Sequence, residues 1–308
     1  MILKPRALAP GDRLAIVSPA SPFVREEFDA GLAEIRRLGF VPVYDDSVFA
    51  RRGYVSGEPE IRAAAITAAW SDPAIAGLIG VRGGYGSAQV LPLLDRDAGR
   101  RARKSFVGYS DLTAMLTFLT VGCETVAFHG PMLAGRLSRG AGGYDADSFS
   151  NALCRREPMG ELAPAGLESI RPGEASGRLL GGTLTQLLAS LGTPFAFDPP
   201  HGYVLFLDEV GERPYRLDRM VTQLAQTGLL SRASAVVIGE LPKCDEPAGE
   251  PTARTVMADL LAGFPGPVLF GFPSGHTTGP AMTLPFGVSA RVIGGRTPRL
   301  VIEESAVE

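Results

Sequence analysis

Short apolar runs alternate along this chain with segments whose apolar positions recur every three or four residues. Residues 13–18 (RLAIVS) form a β-type run closed by Pro19. Residues 26–38 follow, with Phe28, Leu32, Ile35 and Leu38 at helical spacing and Gly39 standing just past the helix end. Residues 40–44 return to strand composition; a second helix is expected over 61–70, a strand over 76–81, a short helix over 89–94 and a strand over 105–109. These strands read as continuous apolar runs, the pattern of strands buried on both faces. The order therefore predicts an α/β fold whose N-terminal half is a parallel sheet covered by helices.

Between about 138 and 176 the composition turns to Gly, Ala, Ser, Pro and charge, which suggests an N-terminal domain over 1–140, a linker over 141–175 and a second domain over 176–308. In that second part a helix is expected over 179–191, starting at the Gly-Gly-Thr run, with further helices over 215–227 and 252–262. Strands are expected over 203–210, 235–238, 268–271 and 288–292, giving a smaller C-terminal α/β or β-rich domain.

The chain has 308 residues, room for about two domains. Thirty basic and 33 acidic residues leave a net charge of −3, so neither a nucleic-acid footprint nor a polybasic membrane patch is indicated, and the expected partner is a small molecule or peptide. Three cysteines without a CxxC pair give no disulfide framework and no cysteine zinc site; no metal or cofactor is expected. The N-terminus lacks a secretory apolar core and no apolar run reaches 18 residues, so a cytoplasmic protein with no membrane partner is expected.

Four places could carry chemistry. Residues 104–122 read as a strand stopping at Gly108-Tyr109 and a helix beginning near Asp111, which puts Ser110 at the carboxyl end of a parallel strand, beside a helix N-terminus. The string is G-x-S-x-L, short of the G-x-S-x-G nucleophile elbow, and an N-capping hydroxyl fits it as well. A serine nucleophile needs a base, and the chain has three histidines: His201 looks like a turn residue after Pro199-Pro200, His129 follows a strand end, and His276 lies in a Gly/Pro/Thr-rich loop with no evident packing role. Loop residues on a rigid scaffold are disproportionately functional, which favours His276. Asp208 and Glu209 end a strongly apolar strand; being adjacent they point to opposite faces, so at most one can meet the histidine. Finally, the glycine-rich turn over 80–87 fails both nucleotide fingerprints, because Gln89 stands where G-x-G-x-x-G needs its last glycine and no G-K-[ST] follows. Such a turn can still bring main-chain N–H groups close to a substrate, and its Arg82 could pair with a substrate carboxylate or simply face solvent.

Seven segments, PGDRLAIVSPASP, VRGGYGSAQVLPLLD, FVGYSDLTAML, FHGPM, GGTLTQLLASLGTP, LFLDEVGERPYRLDRM and GHTTGPAMTLPFG, occur in this order over nearly the whole chain. Together they resemble the LD-carboxypeptidase family of serine peptidases, which includes the microcin C immunity peptidases. The resemblance implies Ser110 as nucleophile, His276 as base and Asp208 as triad acid, with Gly84 and the amide of Asp111 forming the oxyanion hole. It also implies a homodimer acting on a muropeptide in cell-wall recycling by releasing terminal D-alanine, or, in the immunity branch, on peptidyl- or aminoacyl-nucleotide adducts. A protein that binds peptides in the same cleft without cleaving them is the alternative of another class. The family usually carries glutamate where this chain has Asp208. An aspartate reaches the imidazole from one C–C bond further back, roughly 1.5 Å, so either the backbone compensates or Glu209 takes the role.

Overall fold

A computed structural model describes residues 2–308. In chain order its strands are β1 (Arg13–Val17), β2 (Val41–Val43), β3 (Ile75–Gly80), β4 (Ser105–Gly108), β5 (Ala127–His129), β6 (Gly160–Leu162) and β7 (Glu168–Arg171). There follow β8 (Gly173–Thr183), β9 (Tyr203–Asp208), β10 (Ala233–Gly239), β11 (Val268–Phe272), β12 (Leu284–Phe286), β13 (Ser289–Gly294) and β14 (Arg299–Ile302). The first sheet has the order β12-β5-β4-β3-β1-β2, its five N-terminal strands parallel as the apolar runs predicted. The second sheet runs β6-β14-β13-β8-β9-β10-β11-β7, with a parallel centre over β8 to β11 and antiparallel flanks. Both sheets together make the expected α/β architecture.

The helices predicted in the N-terminal half agree with their periodicity within a few residues, and Arg96–Ala102 is a further helix that the pattern did not predict. Arg25–Arg37 buries Phe28, Leu32 and Ile35 on one face, with Glu26 and Glu27 in its first turn and Arg36 and Arg37 in its last, the charge placement that suits a helix dipole. Pro59–Ser71 starts on a proline, whose missing N–H costs nothing at a helix's first position.

Three departures from the sequence reading have local causes. The helix expected over 179–191 covers only Leu184–Ser190, and residues 179–183 complete β8. Gly181 and Gly182 sit at φ +144° and +142°, and a Cβ on Gly181 would meet the Phe206 carbonyl oxygen at 1.9 Å, so these glycines serve a strand pressed against β9. The stretch 141–175, taken as a linker from composition, contains the helix Ala146–Cys154 and strands β6 and β7. Phe149, Ala152 and Leu153 of that helix are buried, so the small polar residues around it mark turns between short elements. Lastly, β12 leaves the C-terminal half and pairs antiparallel with β5, setting Leu284 opposite His129. One apolar core accordingly joins Phe106 and Phe128 of the first half to Phe206, Phe272 and Phe286 of the second. Among the described residues no helix is long and apolar enough to cross a membrane.

Candidate active site

Gly80 and Gly108 end β3 and β4, and a Cβ on either would collide with Leu112 Cδ1, at 2.2 and 2.7 Å. Their bareness lets the turn after β4 descend onto the sheet. That turn begins at Ser110, whose φ of +62° is rare for a residue with a side chain and costs on the order of 1–2 kcal/mol. A short 3₁₀ turn, Ser110–Leu112, leads into the helix Thr113–Thr117. The N-cap of the turn is Tyr109, without a side-chain cap bond, and among the described residues the Ser110 hydroxyl makes no hydrogen bond. The capping role that the string also allowed is therefore not the one it plays. A strained serine between a parallel strand and a helix is the setting of a nucleophile elbow despite the missing second glycine.

His276 lies across the same cleft, which measures about 470 Å³ and is lined by Arg82, Gly83, Gly84, Tyr109, Ser110 and His276 among others. Its Nδ1 is 2.7 Å from Asp208 Oδ2, and its backbone N–H donates to Asp208 Oδ1 at 3.1 Å. Because Nδ1 faces a carboxylate it carries the proton, and Nε2 is left as an acceptor. Burial works against charge on this ring, but the carboxylate of Asp208, through its charge and its hydrogen bond, prevails and holds the imidazole above its ordinary range.

Asp208, fully buried at the end of β9, meets His276 although it is a methylene shorter than glutamate. The backbone makes up the distance. Gly275 adopts φ +72°, and a Cβ there would stand 2.5 Å from Asp208 Oδ2, so only glycine lets the histidine loop come down onto the acid. Glu209 points elsewhere: its Oε2 accepts from the Thr185 backbone N–H at 2.9 Å and from the Thr185 hydroxyl at 2.6 Å, in the first turn of the helix Leu184–Ser190. Burial pushes its carboxyl up, and those bonds draw it partly back.

The glycine-rich turn forms the wall facing Ser110. A Cβ on Gly83 would lie 2.8 Å from Ser110 Cβ, 3.0 Å from its Oγ and 3.3 Å from the Asp111 nitrogen, so it is Gly83 that keeps the space before the hydroxyl and that amide open. Gly84 also lines the cleft, but its own Cα faces Ser21. Arg82 is exposed on the cleft rim, with one guanidinium N–H donating to the Pro22 carbonyl at 3.1 Å. The Asp111 side chain is buried, accepting from the Ser87 backbone N–H at 2.8 Å, and burial raises its carboxyl above the usual range. His201 is exposed and outside the cleft.

Two arginines that the residue pattern gave no reason to single out hold the walls. Buried Arg136 donates to the carbonyls of Gly275, Thr277, Gly279 and Gly143, tying the histidine loop to the N-terminal half. Buried Arg62 donates to the carbonyls of Gly57, Pro19 and Gly86 and to Gln89, fixing the glycine-rich turn. The only signal for either is three-dimensional: carbonyls gathered by loops far apart in sequence.

A hydroxyl on a strained turn, an imidazole lining the same cleft, a buried carboxylate bound to that ring and main-chain N–H groups alongside can together carry acyl transfer. Comparison with known proteins agrees. Residues 14–130 match the family model of the LD-carboxypeptidase N-terminal domain, and residues 176–292 that of the LD-carboxypeptidase C-terminal domain. The "Probable murein peptide carboxypeptidase" of Bacillus subtilis is 31% identical over 296 residues, 93% of this chain and 90% of that protein. The crystal structure of muramoyltetrapeptide carboxypeptidase from Oxalobacter formigenes superposes with a TM-score of 0.84 at 26% identity, covering 95% of this chain and 99% of the other. The microcin C7 self-immunity protein MccF in its apo state shares the fold, with a TM-score of 0.89 at 24% identity over 99% of this chain and 100% of the other. With both halves matched in order and the whole fold shared, the chain belongs to the LD-carboxypeptidase family of peptidases.

Proposed function

We propose that this protein is a cytoplasmic, homodimeric serine carboxypeptidase that releases terminal D-alanine from a muropeptide tetrapeptide. His276 Nε2 takes the Ser110 proton, Ser110 Oγ attacks the scissile carbonyl, and the imidazolium formed is held by Asp208. His276 then returns the proton to the departing D-alanine amine, and water hydrolyses the acyl-enzyme with the same base. The amide of Asp111 and the glycine-rich turn at Gly83-Gly84 stabilise the oxyanion, and Arg82 on the rim pairs with a substrate carboxylate. The reading is carried by one observation: a buried carboxylate 2.7 Å from the ring of a cleft histidine that shares its cleft with a strained serine. The names of the relatives support the substrate class.

The direct test is D-alanine release from L-Ala-γ-D-Glu-meso-diaminopimelate-D-Ala, with the terminal L-alanine epimer as control. Release from the D-epimer alone is expected; equal turnover of both epimers overturns the specificity. Because the immunity protein shares the fold, an aminoacyl sulfamoyl adenosine belongs in the same assay, and its preferential cleavage would move the chain to that branch. Sedimentation at working concentration tests the dimer, and cell fractionation the compartment.

The acid limb of the pH profile follows from the raised His276. Below its midpoint the imidazole is protonated and cannot accept the serine proton, so kcat/KM rises with pH through a midpoint above the ordinary histidine value of about 6.5. A midpoint below that value would contradict the coupling to Asp208.

Gly83→Ala places a methyl against the Ser110 hydroxyl and the Asp111 amide. Displacement of reacting groups on this scale costs about 10²-fold in kcat/KM, so a loss of that order is expected, together with a lower melting temperature, because the contact with Ser110 Cβ forces the buried turn to shift. Unaltered turnover in this variant would show that the space is not used by substrate.

A further inference from the structure

His129 closes β5 and takes no part in the steps above, yet its ring is wholly buried behind the acid, with Nε2 3.9 Å from Asp208 Oδ2. The other ring nitrogen, Nδ1, is 3.0 Å from Ser274 Oγ, and that hydroxyl is 2.8 Å from the Met282 carbonyl oxygen. A carbonyl only accepts, so the single Ser274 proton points at Met282, and Ser274 Oγ must accept from His129 Nδ1–H. In the neutral ring Nε2 is then a bare lone pair, and it has no hydrogen-bond partner. The groups around it keep it neutral: burial among Phe206, Phe286 and the Tyr109 phenol, whose own pKa burial raises, pushes its pKa down to about 4, against the pull of the Asp208 charge and with the push of His276.

This arrangement matters for what Asp208 can do. Oδ2 accepts the short bond from His276 Nδ1 and otherwise only a 3.4 Å contact from the Thr183 hydroxyl. A donor placed where His129 Nε2 sits would stabilise the carboxylate independently and loosen its hold on the His276 imidazolium. A group of the same shape that cannot donate leaves the charge directed at His276.

We propose that His129 is a positioning residue: pinned as the Nδ1–H tautomer by Ser274, it fills the space behind Asp208 with a non-donating nitrogen, so that the carboxylate acts on His276 alone. The proposal rests on the peptidase reading for its purpose, but its physical content is the coupling between Asp208 and His276.

The test compares two replacements in the full chain. His129→Phe keeps a flat, non-donating ring, whereas His129→Gln can aim an amide N–H at Oδ2. Removing His129 leaves two histidines, so the His276 midpoint can be read by NMR of labelled imidazole, beside the pH profile of kcat and KM on the tetrapeptide. In His129→Phe the midpoint should stay within about 0.3 unit of the wild type, with kcat within about threefold. In His129→Gln the midpoint should fall by about one unit and kcat by about tenfold at unchanged KM. Equal shifts in both variants, no shift in His129→Gln, or a larger shift in His129→Phe would each overturn the proposal; His129→Met stands in if the Phe variant does not fold. The NMR midpoint needs no turnover. A wild-type protein inactive on the tetrapeptide would thus count against the peptidase reading while the midpoints still decide the role of His129.

Discussion

Ser110→Ala lowers kcat by on the order of 10⁶ while leaving the fold intact, measured as D-alanine release and thermal melting on the same preparation. The size follows from the chemistry. Without Oγ there is no acyl-enzyme, the imidazole has no proton to accept, and only oriented water beside the oxyanion donors remains, which sustains a residual rate of about 10³–10⁴ over the uncatalysed one. Stability should hold, because the hydroxyl makes no hydrogen bond that the fold uses. Alanine inherits the left-handed φ of +62° and its strain, which is a property of the Cβ and not of the oxygen. A loss of activity under tenfold would remove Ser110 from the mechanism. A serine-directed fluorophosphonate gives a second readout: labelling of the wild type that disappears in both Ser110→Ala and His276→Ala is expected, and labelling that survives the loss of His276 would mean that the histidine does not activate the serine.

The sequence makes the N-terminal sheet legible because its strands are continuous apolar runs and its helices carry a clear period, as at Phe28, Leu32 and Ile35. Ser110 and His276 could be singled out as candidates from a strand-to-helix turn and from a glycine-rich loop with no evident packing role, whereas the residue pattern left Asp208 and Glu209 open and only the family resemblance chose between them. What the pattern hid lay in long-range contacts. β12 is three residues, Leu-Pro-Phe, inside a Gly/Pro/Thr-rich loop, and it becomes a strand only because β5 offers a free edge. The Gly181-Gly182 pair looked like a helix start, but it is bare because β9 and Thr113 press against it. Gly83 was one of several glycines in its turn, and only the position of Ser110 distinguishes it. That an aspartate stands at 208 where the resembled family usually carries glutamate was legible, but the close approach of Gly275 to it was not, since that depends on how closely one loop approaches one strand end.

Asp208→Asn and Glu209→Gln, made side by side, should separate two adjacent acids by kind of effect. Asn at 208 keeps the shape but offers an amide where His276 Nδ1–H requires an acceptor anion. It either turns its NH₂ toward the ring, forcing the other tautomer and blocking Nε2 with a proton, or presents a neutral oxygen that cannot hold the imidazolium. The loss in kcat is about 10⁴-fold, and the acid limb moves to lower pH, because the charge that raised His276 is gone. Glu209→Gln leaves His276 its partner 2.7 Å away and instead weakens the bonds into the first turn of the helix Leu184–Ser190, where a carboxylate suits the dipole and the amide of Thr185. About 1 kcal/mol of stability should go with it, read by denaturant melting, and kcat should stay within a few-fold of the wild type. The reverse pattern, activity lost at 209 and kept at 208, would mean that the loop carrying His276 moves to the longer acid in the working enzyme, and that the contact through Gly275 belongs to a resting state.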